Sequence, residues 1–172
     1  MDGSIQVYYG EGRGKTTAAL GLGIRAAGMG KQVIMVQFLK CRHSDTLDFL
    51  KKLEPELQIF RFAKAACSYS DMDEEERQEQ LSNIRMALGY TRKVLDTGQC
   101  DLLILDEIFG LIDYNIITMD DLRELLAARN ESTDLILTGR NLPEEVRDIA
   151  DCIYYIHTEK EQAGEILRSG TE

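Results

Sequence analysis

Residues 10–17 read GEGRGKTT and directly follow SIQVYY, a short apolar run from Ser4 to Tyr9. Closely spaced glycines let backbone N–H groups converge on an anion, and a helix that begins there adds the positive end of its dipole. The standard phosphate loop reads GxxxxGK[ST], but Tyr9 stands here in place of its first glycine, so the loop is one residue short. The segment predicts a nucleotide-phosphate loop at a strand-to-helix junction, and a simple glycine-rich turn is the alternative.

Outward from this loop, strand-like and helix-like runs alternate along the chain. The predicted strands are Ser4–Tyr9, Gln32–Phe38, Leu57–Phe62, Asp101–Asp106, Asp134–Gly139 and Cys152–Ile156. The predicted helices are Lys15–Met29, Asp71–Thr97, a segment around Leu122–Leu126, and Asn141–Ala150. Apolar strands that alternate with helices indicate a mostly parallel sheet between two helical layers, the three-layer α/β sandwich of P-loop NTPases. Ligands of such sheets bind beyond the carboxyl ends of the strands.

An acidic pair at the end of the run LLILDE is the second candidate part of the site. Asp106 and Glu107 end and follow a strongly apolar strand. In P-loop proteins, an acid at the end of a neighbouring strand helps to hold Mg²⁺ together with the hydroxyl group of the loop. Taken alone, the pair is equally typical of residues that cap the next helix. Alongside GKTT, it predicts a magnesium site shared with Thr16.

Length and charge limit the class of protein. The chain has 172 residues, which predicts one domain over residues 1–172, and its formal net charge is −10. Duplex nucleic acid is bound mainly through neutralisation of its phosphates, so we expect no nucleic-acid partner. No apolar run approaches the roughly 20 residues of a membrane span. The start of the chain also lacks the basic leader and apolar stretch of a signal peptide. We therefore expect a cytoplasmic protein with no membrane partner.

The four cysteines are too far apart in sequence to predict a metal site. Cys41, Cys67, Cys100 and Cys152 form no CxxC pair, which argues against a zinc ribbon or a thioredoxin-like site. Cys41 and His43 together supply too few ligands for a metal. Cys100 and Cys152 adjoin apolar runs and are predicted to be buried thiols.

The ordered motifs of the chain resemble the corrinoid adenosyltransferases of the CobA/BtuR/CobO type. The resemblance rests on the short loop GEGRGKTT, a VQF strand, an LDE strand and LTGRNLPEEVRDIAD, in that order over roughly Ile5 to Tyr155. It implies an ATP:corrinoid adenosyltransferase, in which Co(I) attacks the 5′ carbon of ATP and expels triphosphate. It also implies that ATP is held in reversed polarity, which would account for the missing loop residue. Because Co(I) is already a strong nucleophile, the protein needs no general base; it must place the ribose and stabilise the leaving triphosphate.

The resemblance also implies roles for individual residues. Lys15 and Arg140 would be the catalytic cations, with Arg140 clamping a terminal phosphate through its guanidinium fork; a surface arginine is the alternative for Arg140. Magnesium would be held by Thr16, Asp106 and Glu107. Nucleotide-binding residues would be Gly10, Glu11, Gly12, Arg13, Gly14, Lys15, Thr16, Thr17 and Arg140. The implied partners are ATP, magnesium, a corrinoid, a reductase or flavoprotein electron donor, and a second copy of the chain in a homodimer.

One segment departs from the pattern of that family. Its members carry a TGFTW-like segment whose aromatic side chains wall the corrinoid, whereas residues 62–69 read FAKAACSY and the chain contains no tryptophan. Phe62 or Tyr69 would serve as the wall, or both are ordinary packing aromatics. Two other functions also stay open on the sequence: a different small P-loop ATPase or kinase, and a non-catalytic ATP-binding module.

Overall fold

The computed structural model describes residues 3–39, 50–62 and 69–160. The six predicted strands are present as β1 (Ile5–Tyr9), β2 (Val33–Gln37), β3 (Leu57–Arg61), β4 (Leu102–Asp106), β5 (Asp134–Gly139) and β6 (Cys152–Tyr155). The α-helices are α1 (Lys15–Gly28), α2 (Glu74–Thr97), α3 (Ile108–Asp113), α4 (Met119–Ala127) and α5 (Glu144–Arg147). Short 3₁₀ turns occupy Lys51–Leu53 and Tyr69–Asp71.

The strands form one six-stranded sheet in the order β3-β2-β4-β5-β1-β6. Every pairing in it is parallel. All strands therefore end at the same edge, and the loop after β1 opens at that edge beside the ends of β5 and β6. The predicted parallel α/β sheet is confirmed.

Alternating side chains give the sheet two buried faces. On one face, Ala19 of α1 packs in a cluster with Val33, Met35, Leu57, Leu102, Ile104 and Ile136. We call this side the α1 face. On the other face, strand residues pack in a larger cluster with residues of α2, α3 and α4, among them Ile84, Leu95, Phe109 and Leu122. The sheet therefore lies between two helical layers, as the sequence predicts.

The helix boundaries differ from the prediction where local capping decides them. Asp73 accepts a hydrogen bond from the N–H of Glu76, and the Glu76 side chain accepts one in return, so α2 begins at Glu74 instead of Asp71. The helix ends at Thr97, and its C-cap residue Gly98 is left-handed with φ 59°. Helix α5 ends at Arg147, short of the predicted Ala150. Helix α3 was not predicted.

The two cysteines that the structure describes differ from each other. Cys100 is buried as predicted, and this burial raises the pKa of its thiol to about 12. The prediction of a buried Cys152 is wrong, because β6 is the outermost strand and all four of its residues are exposed. Cys41, His43 and Cys67 lie outside the described residues. None of the helices in the described ranges has the length and apolar character needed to cross a bilayer.

Candidate nucleotide-binding site

Helix α1 begins without a side-chain cap. Its N-cap residue is Gly14, which has φ 111° and makes no side-chain hydrogen bond. The first bond of the helix joins the N–H of Ala18 to the carbonyl of Gly14 at 2.8 Å. The N–H groups of Lys15, Thr16 and Thr17 therefore precede that bond and must find partners outside the helix. Uncapped N–H groups and the positive dipole end of a 14-residue helix are features that favour the binding of an anion.

The first two glycines of the loop fasten it to the sheet. The N–H of Gly10 donates to the carbonyl of Arg140, and the N–H of Gly12 donates to the carbonyl of Ile156, both at 3.0 Å. A β-carbon on Gly12 would lie 2.6 Å from the backbone of His157, so only glycine fits there. Two of the three glycine amides thus bind protein carbonyls.

Lys15 lies within the loop. Its Nζ donates to the carbonyl of Gly10 at 2.6 Å and to the carbonyl of Gly12 at 2.9 Å. The ammonium group is therefore held where the loop curls around it, one residue into α1. A phosphate bound at the start of the helix would meet this charge directly.

Thr16 contacts the buried acid of β4. Its Oγ1 donates to both carboxylate oxygens of Asp106, at 3.0 and 3.1 Å, and Asp106 is 0% exposed. Since a threonine hydroxyl has one hydrogen and two lone pairs, giving the hydrogen to Asp106 leaves the lone pairs for a cation. The structure therefore brings together the two residues that the sequence pairs.

Glu107 begins α3 in a conformation that is uncommon for a residue with a side chain. It is left-handed, with φ 62° and ψ 28°, and its N–H donates to Oγ1 of Thr138 at 2.8 Å. Such backbone geometry costs of order 1 kcal/mol or more and is common at functional sites. Glu107 is partly buried next to Asp106, at the carboxyl end of β4.

Arg140 stands at the end of β5 with an exposed side chain. Its carbonyl accepts from the N–H of Gly10, so its main chain borders the loop. The remaining predicted nucleotide-binding residues are Glu11, Arg13 and Thr17, and all three are exposed. Every predicted site residue therefore lies at the carboxyl edge of the sheet, around the start of α1.

Three further residues complete the surroundings of Asp106 and were missed from the sequence. Thr138 Oγ1 donates to the carboxylate at 2.7 Å, and Gln37 Nε2 donates to it at 2.9 Å. Arg61 in turn donates to Oε1 of Gln37 from Nε at 3.2 Å and from Nη2 at 2.7 Å. The sequence pattern that could have identified them is a polar residue two positions after an apolar strand residue on the α1 face, such as Gln37 after Met35. It recurs at the ends of β3, β4 and β5.

The donor set suits a hard divalent cation. Thr16, Asp106 and Glu107 offer oxygen, and Mg²⁺ bound with nucleotide phosphates takes only one or two protein ligands beside phosphate and water. Within the described ranges, no group of three or more His, Cys, Asp or Glu side chains is arranged to hold a metal. The residues therefore fit a magnesium ion that arrives with a triphosphate better than a metal enclosed by protein alone.

The two candidate corrinoid-wall aromatics make aromatic contacts inside the protein. Phe62 lies 6.1 Å from the ring of Tyr90, which also contacts Phe60 at 4.6 Å. Tyr69 lies 5.0 Å from the ring of Tyr114, which is 46% exposed. Phe62 packs against the larger core cluster, whereas the Tyr69–Tyr114 pair reaches solvent.

Comparison with known proteins gives a family match and several relatives. The profile of the family described as "ATP:corrinoid adenosyltransferase BtuR/CobO/CobP" matches residues 1–172. The corrinoid adenosyltransferase of Escherichia coli K12 is 29% identical over 151 residues, which are 88% of this chain and 74% of that protein. The corrinoid adenosyltransferase CobA of Salmonella typhimurium has the same identity and coverage. Domain III of the Thermotoga maritima replication initiation protein DnaA is a distant structural neighbour, with a TM-score of 0.44 and 12% identity over 91% of this chain and 55% of that one.

Proposed function

The chain belongs to the ATP:corrinoid adenosyltransferase family BtuR/CobO/CobP, and from that premise we propose how its carboxyl-edge site transfers the adenosyl group of ATP to a corrinoid. In the reaction, the cobalt of a Co(I) corrinoid bonds to the 5′ carbon of ATP while the bond from that carbon to its oxygen breaks and triphosphate leaves. The family membership favours this reaction over an ATPase, a kinase or a non-catalytic binding module.

One observation carries the proposal for the nucleotide. The uncapped start of α1 stands beside the Thr16–Asp106 hydrogen bond, inside a loop that is one residue short. We assign the triphosphate to the N–H groups of Gly14, Lys15, Thr16 and Thr17, with the Lys15 ammonium group against its oxygens. Gly10 and Gly12 contribute by shaping the loop, and Glu11 and Arg13 line its exposed side. Because the incoming cobalt provides the electron pair, these residues act by positioning the ribose and stabilising charge on the leaving group.

Arg140 is assigned to a terminal phosphate of the same triphosphate. Its main chain borders the loop through the Gly10 hydrogen bond, and its side chain is exposed at that edge. A guanidinium group donates two parallel hydrogen bonds to phosphate oxygens, which suits a group that gains charge as it leaves.

We assign a magnesium ion to the oxygen atoms of Thr16 and Glu107, with Asp106 behind Thr16. When bound, the ion would neutralise charge on the departing triphosphate. Asp106 accepts the Thr16 hydrogen and so aims the hydroxyl oxygen toward the phosphates. Glu107 directly follows Asp106 at the carboxyl end of β4 and supplies the second carboxylate of this acidic pair.

For the corrinoid, the exposed Tyr69–Tyr114 pair is a better candidate wall than Phe62. Tyr114 directly follows α3, which begins one residue after Glu107, and nearly half of its side chain is in solvent. Phe62 is engaged with Tyr90 and the core. A cytoplasmic location is expected from the sequence, and a homodimer and a reductase or flavoprotein electron donor are implied by the family resemblance; all three remain proposals. Sedimentation of the purified chain tests the dimer.

The function is tested with ATP, magnesium and chemically reduced cobalamin. We expect light-sensitive adenosylcobalamin and an equal amount of inorganic triphosphate, measured by absorbance before and after illumination and by anion-exchange chromatography. Release of ADP and phosphate without an adenosylated corrinoid would contradict the proposal. Omitting the corrinoid is the control, and it should leave ATP intact.

A further inference from the structure

Four neighbouring strands carry polar side chains at or next to their carboxyl ends, at one level of the α1 face. We call Arg61, Gln37, Asp106 and Thr138 the polar row. The register pairs Gln37 with Arg61 on one side and with Asp106 on the other. Leu105 pairs with Leu137, so Asp106 and Thr138 occupy the next level together. In β3, β2, β4 and β5, the residue two positions earlier belongs to or packs on the apolar cluster under α1, so the four side chains continue that face.

The hydrogen bonds of the polar row run in one direction, because the bond from Arg61 sets the orientation of the Gln37 amide and the amide then donates to Asp106. Arg61 donates twice to Oε1 of Gln37, at 3.2 and 2.7 Å, so the carbonyl end of that amide faces β3. Its NH₂ end then faces Asp106 and donates to Oδ2 at 2.9 Å. Gln37 is 3% exposed, so water has little access to replace either contact. Reversing the amide would place its oxygen against a carboxylate and its NH₂ group against a guanidinium, and both contacts are repulsive.

Asp106 thereby receives a dedicated donor on each oxygen. Gln37 serves Oδ2 and Thr138 serves Oδ1, and the Thr16 hydroxyl is shared between the two. Thr138 also accepts from the N–H of Glu107, which fixes the direction of its own hydrogen. A carboxylate held by donors on both oxygens cannot rotate freely. The direction of the Thr16 hydrogen is therefore determined from β3, two strands away from β4.

We propose that Gln37 and Arg61 are positioning residues of the nucleotide site. They hold the Asp106 carboxylate in the orientation that takes the Thr16 hydrogen and thereby directs the lone pairs of that hydroxyl at the metal–triphosphate. This inference rests on the proposed metal role of Thr16. Neither residue touches the nucleotide in this account, and both act through Asp106.

The test measures binding of Mn²⁺–ATP to the full chain, since Mn²⁺ replaces Mg²⁺ and is observed by electron paramagnetic resonance. We expect Gln37→Leu to weaken Mn²⁺–ATP binding about 10-fold or more, as is usual when a residue behind a metal ligand is removed. Arg61→Met should weaken it several-fold, and Arg61→Lys should recover part of that loss. In the transfer assay, the Mg²⁺ concentration for half-maximal rate should rise more than kcat falls. The matched control is Gln58→Leu, which makes the same change on the opposite face of β3.

The outcomes separate this inference from the function on which it rests. If the wild-type chain itself fails to bind Mn²⁺–ATP, the proposed metal site is wrong and the positioning role falls with it. If the wild type binds but Gln37→Leu and Arg61→Met match Gln58→Leu, only the positioning role is overturned. Thermal unfolding identifies any variant that fails to fold, and if Gln37→Leu does, Arg61→Met carries the test because it leaves the buried amide in place.

Discussion

Two parts of the sheet's carboxyl edge, seen on the α1 face, differ although all of their strands pair in parallel. We call the edge at β3, β2, β4 and β5 the buried half and the edge at β1 and β6 the aromatic half. At β3, β2, β4 and β5, the polar row is linked by hydrogen bonds that end on Thr16. At β1 and β6, the row continues with Tyr8 and Tyr154, which are register partners whose rings stack at 4.7 Å. Tyr8 is also the register partner of Thr138, so the change from polar to aromatic occurs between adjacent strands.

This difference indicates that the distance of a strand's carboxyl end from the start of α1 decides whether its polar side chains serve the site or only the stability of the sheet. Asp106 and Thr138 are fully buried near the start of α1. Their hydrogen bonds are protected from water there, and interactions between charged groups are strong. Tyr154 lies on the outermost strand and is 45% exposed. The stacked rings of Tyr8 and Tyr154 stabilise the edge of the sheet, but they do not orient a charged group. We therefore expect substitutions in the buried half to lower catalysis, and substitutions in the aromatic half to lower only the stability of the fold.

The largest effect should come from Lys15→Ala, at the start of α1 in the loop that follows β1. We expect adenosyl transfer to fall by about 10²–10³-fold, the usual cost of removing one group that stabilises developing charge. The melting temperature should change little, since the ammonium group contacts loop carbonyls. The matched control is Lys31→Ala, whose salt bridge to Asp134 at 3.1 Å is partly exposed at the opposite edge. An unfolded Lys15→Ala would show that the lysine is structural.

Asp106→Asn comes next, because it keeps the shape of the buried acid and removes its charge. One of its oxygens becomes an NH₂ group that faces the donor Thr16 and either Thr138 or Gln37, depending on which oxygen is replaced. We expect Mn²⁺–ATP binding to weaken about 10- to 100-fold and the free energy of unfolding to fall by about 1–3 kcal/mol. Calorimetric titration and urea unfolding measure the two effects. Nucleotide binding equal to wild type would mean that the buried half is only structural.

Arg140→Ala should have an intermediate effect. It removes the guanidinium group but leaves the carbonyl that accepts from Gly10, so the loop should keep its shape. We expect kcat/KM for ATP to fall about 10-fold or more, through loss of a charge-assisted phosphate contact. Arg147→Ala is the control, because Arg147 lies on the opposite face of the sheet, 5.8 Å from the ring centre of Tyr9. Equal kinetics for the two variants would favour an ordinary surface role for Arg140.

Tyr154→Ala should change stability and leave catalysis within about twofold of wild type. Loss of the stacked pair is expected to cost about 0.5–1.5 kcal/mol beyond the lost apolar burial. Urea unfolding and the transfer assay, run on the same preparation, provide the comparison. A drop in activity as large as that of Asp106→Asn would remove the distinction between the two halves.

The smallest effect on catalysis and stability should come from alkylating Cys152, which lies on β6 beside the aromatic half. At pH 8, iodoacetamide should label Cys152 in the folded protein, whereas Cys100 is buried and its thiol pKa is raised to about 12. Peptide mapping by mass spectrometry separates the two sites. Because the pKa of Cys100 is raised, the contribution of its thiol to the free energy of unfolding is fully present below the unfolded thiol pKa of about 8.5. This contribution is lost as pH rises toward 12. Rapid labelling of Cys100 at pH 8 would contradict its burial.

The sequence predicts the strands and the loop well, because both are encoded locally. Apolar runs mark β1 to β6, and GEGRGKTT and LLILDE mark the two parts of the site. The polar row could not be predicted, since Gln37, Arg61 and Thr138 meet only through the strand order, which no single segment specifies. The exposure of Cys152 was missed for the same reason, because CIYYI has the composition of a central strand but lies at the sheet edge. The roles of Gly10 and Gly12 depend on their carbonyl partners after β5 and β6.

The way the loop is tethered also bears on how this sequence can drift over generations. Both tethers end on peptide carbonyls, at residues 140 and 156, and every amino acid carries that group. Replacements at these two positions would therefore leave the anchor intact, so selection there acts on side-chain chemistry alone. Positions 10 and 12 have no such freedom, because proline would remove the donor and any β-carbon would strike Ile156 or His157. Inheritance of the loop's shape thus depends more on the glycines at positions 10 and 12 than on the residues at positions 140 and 156.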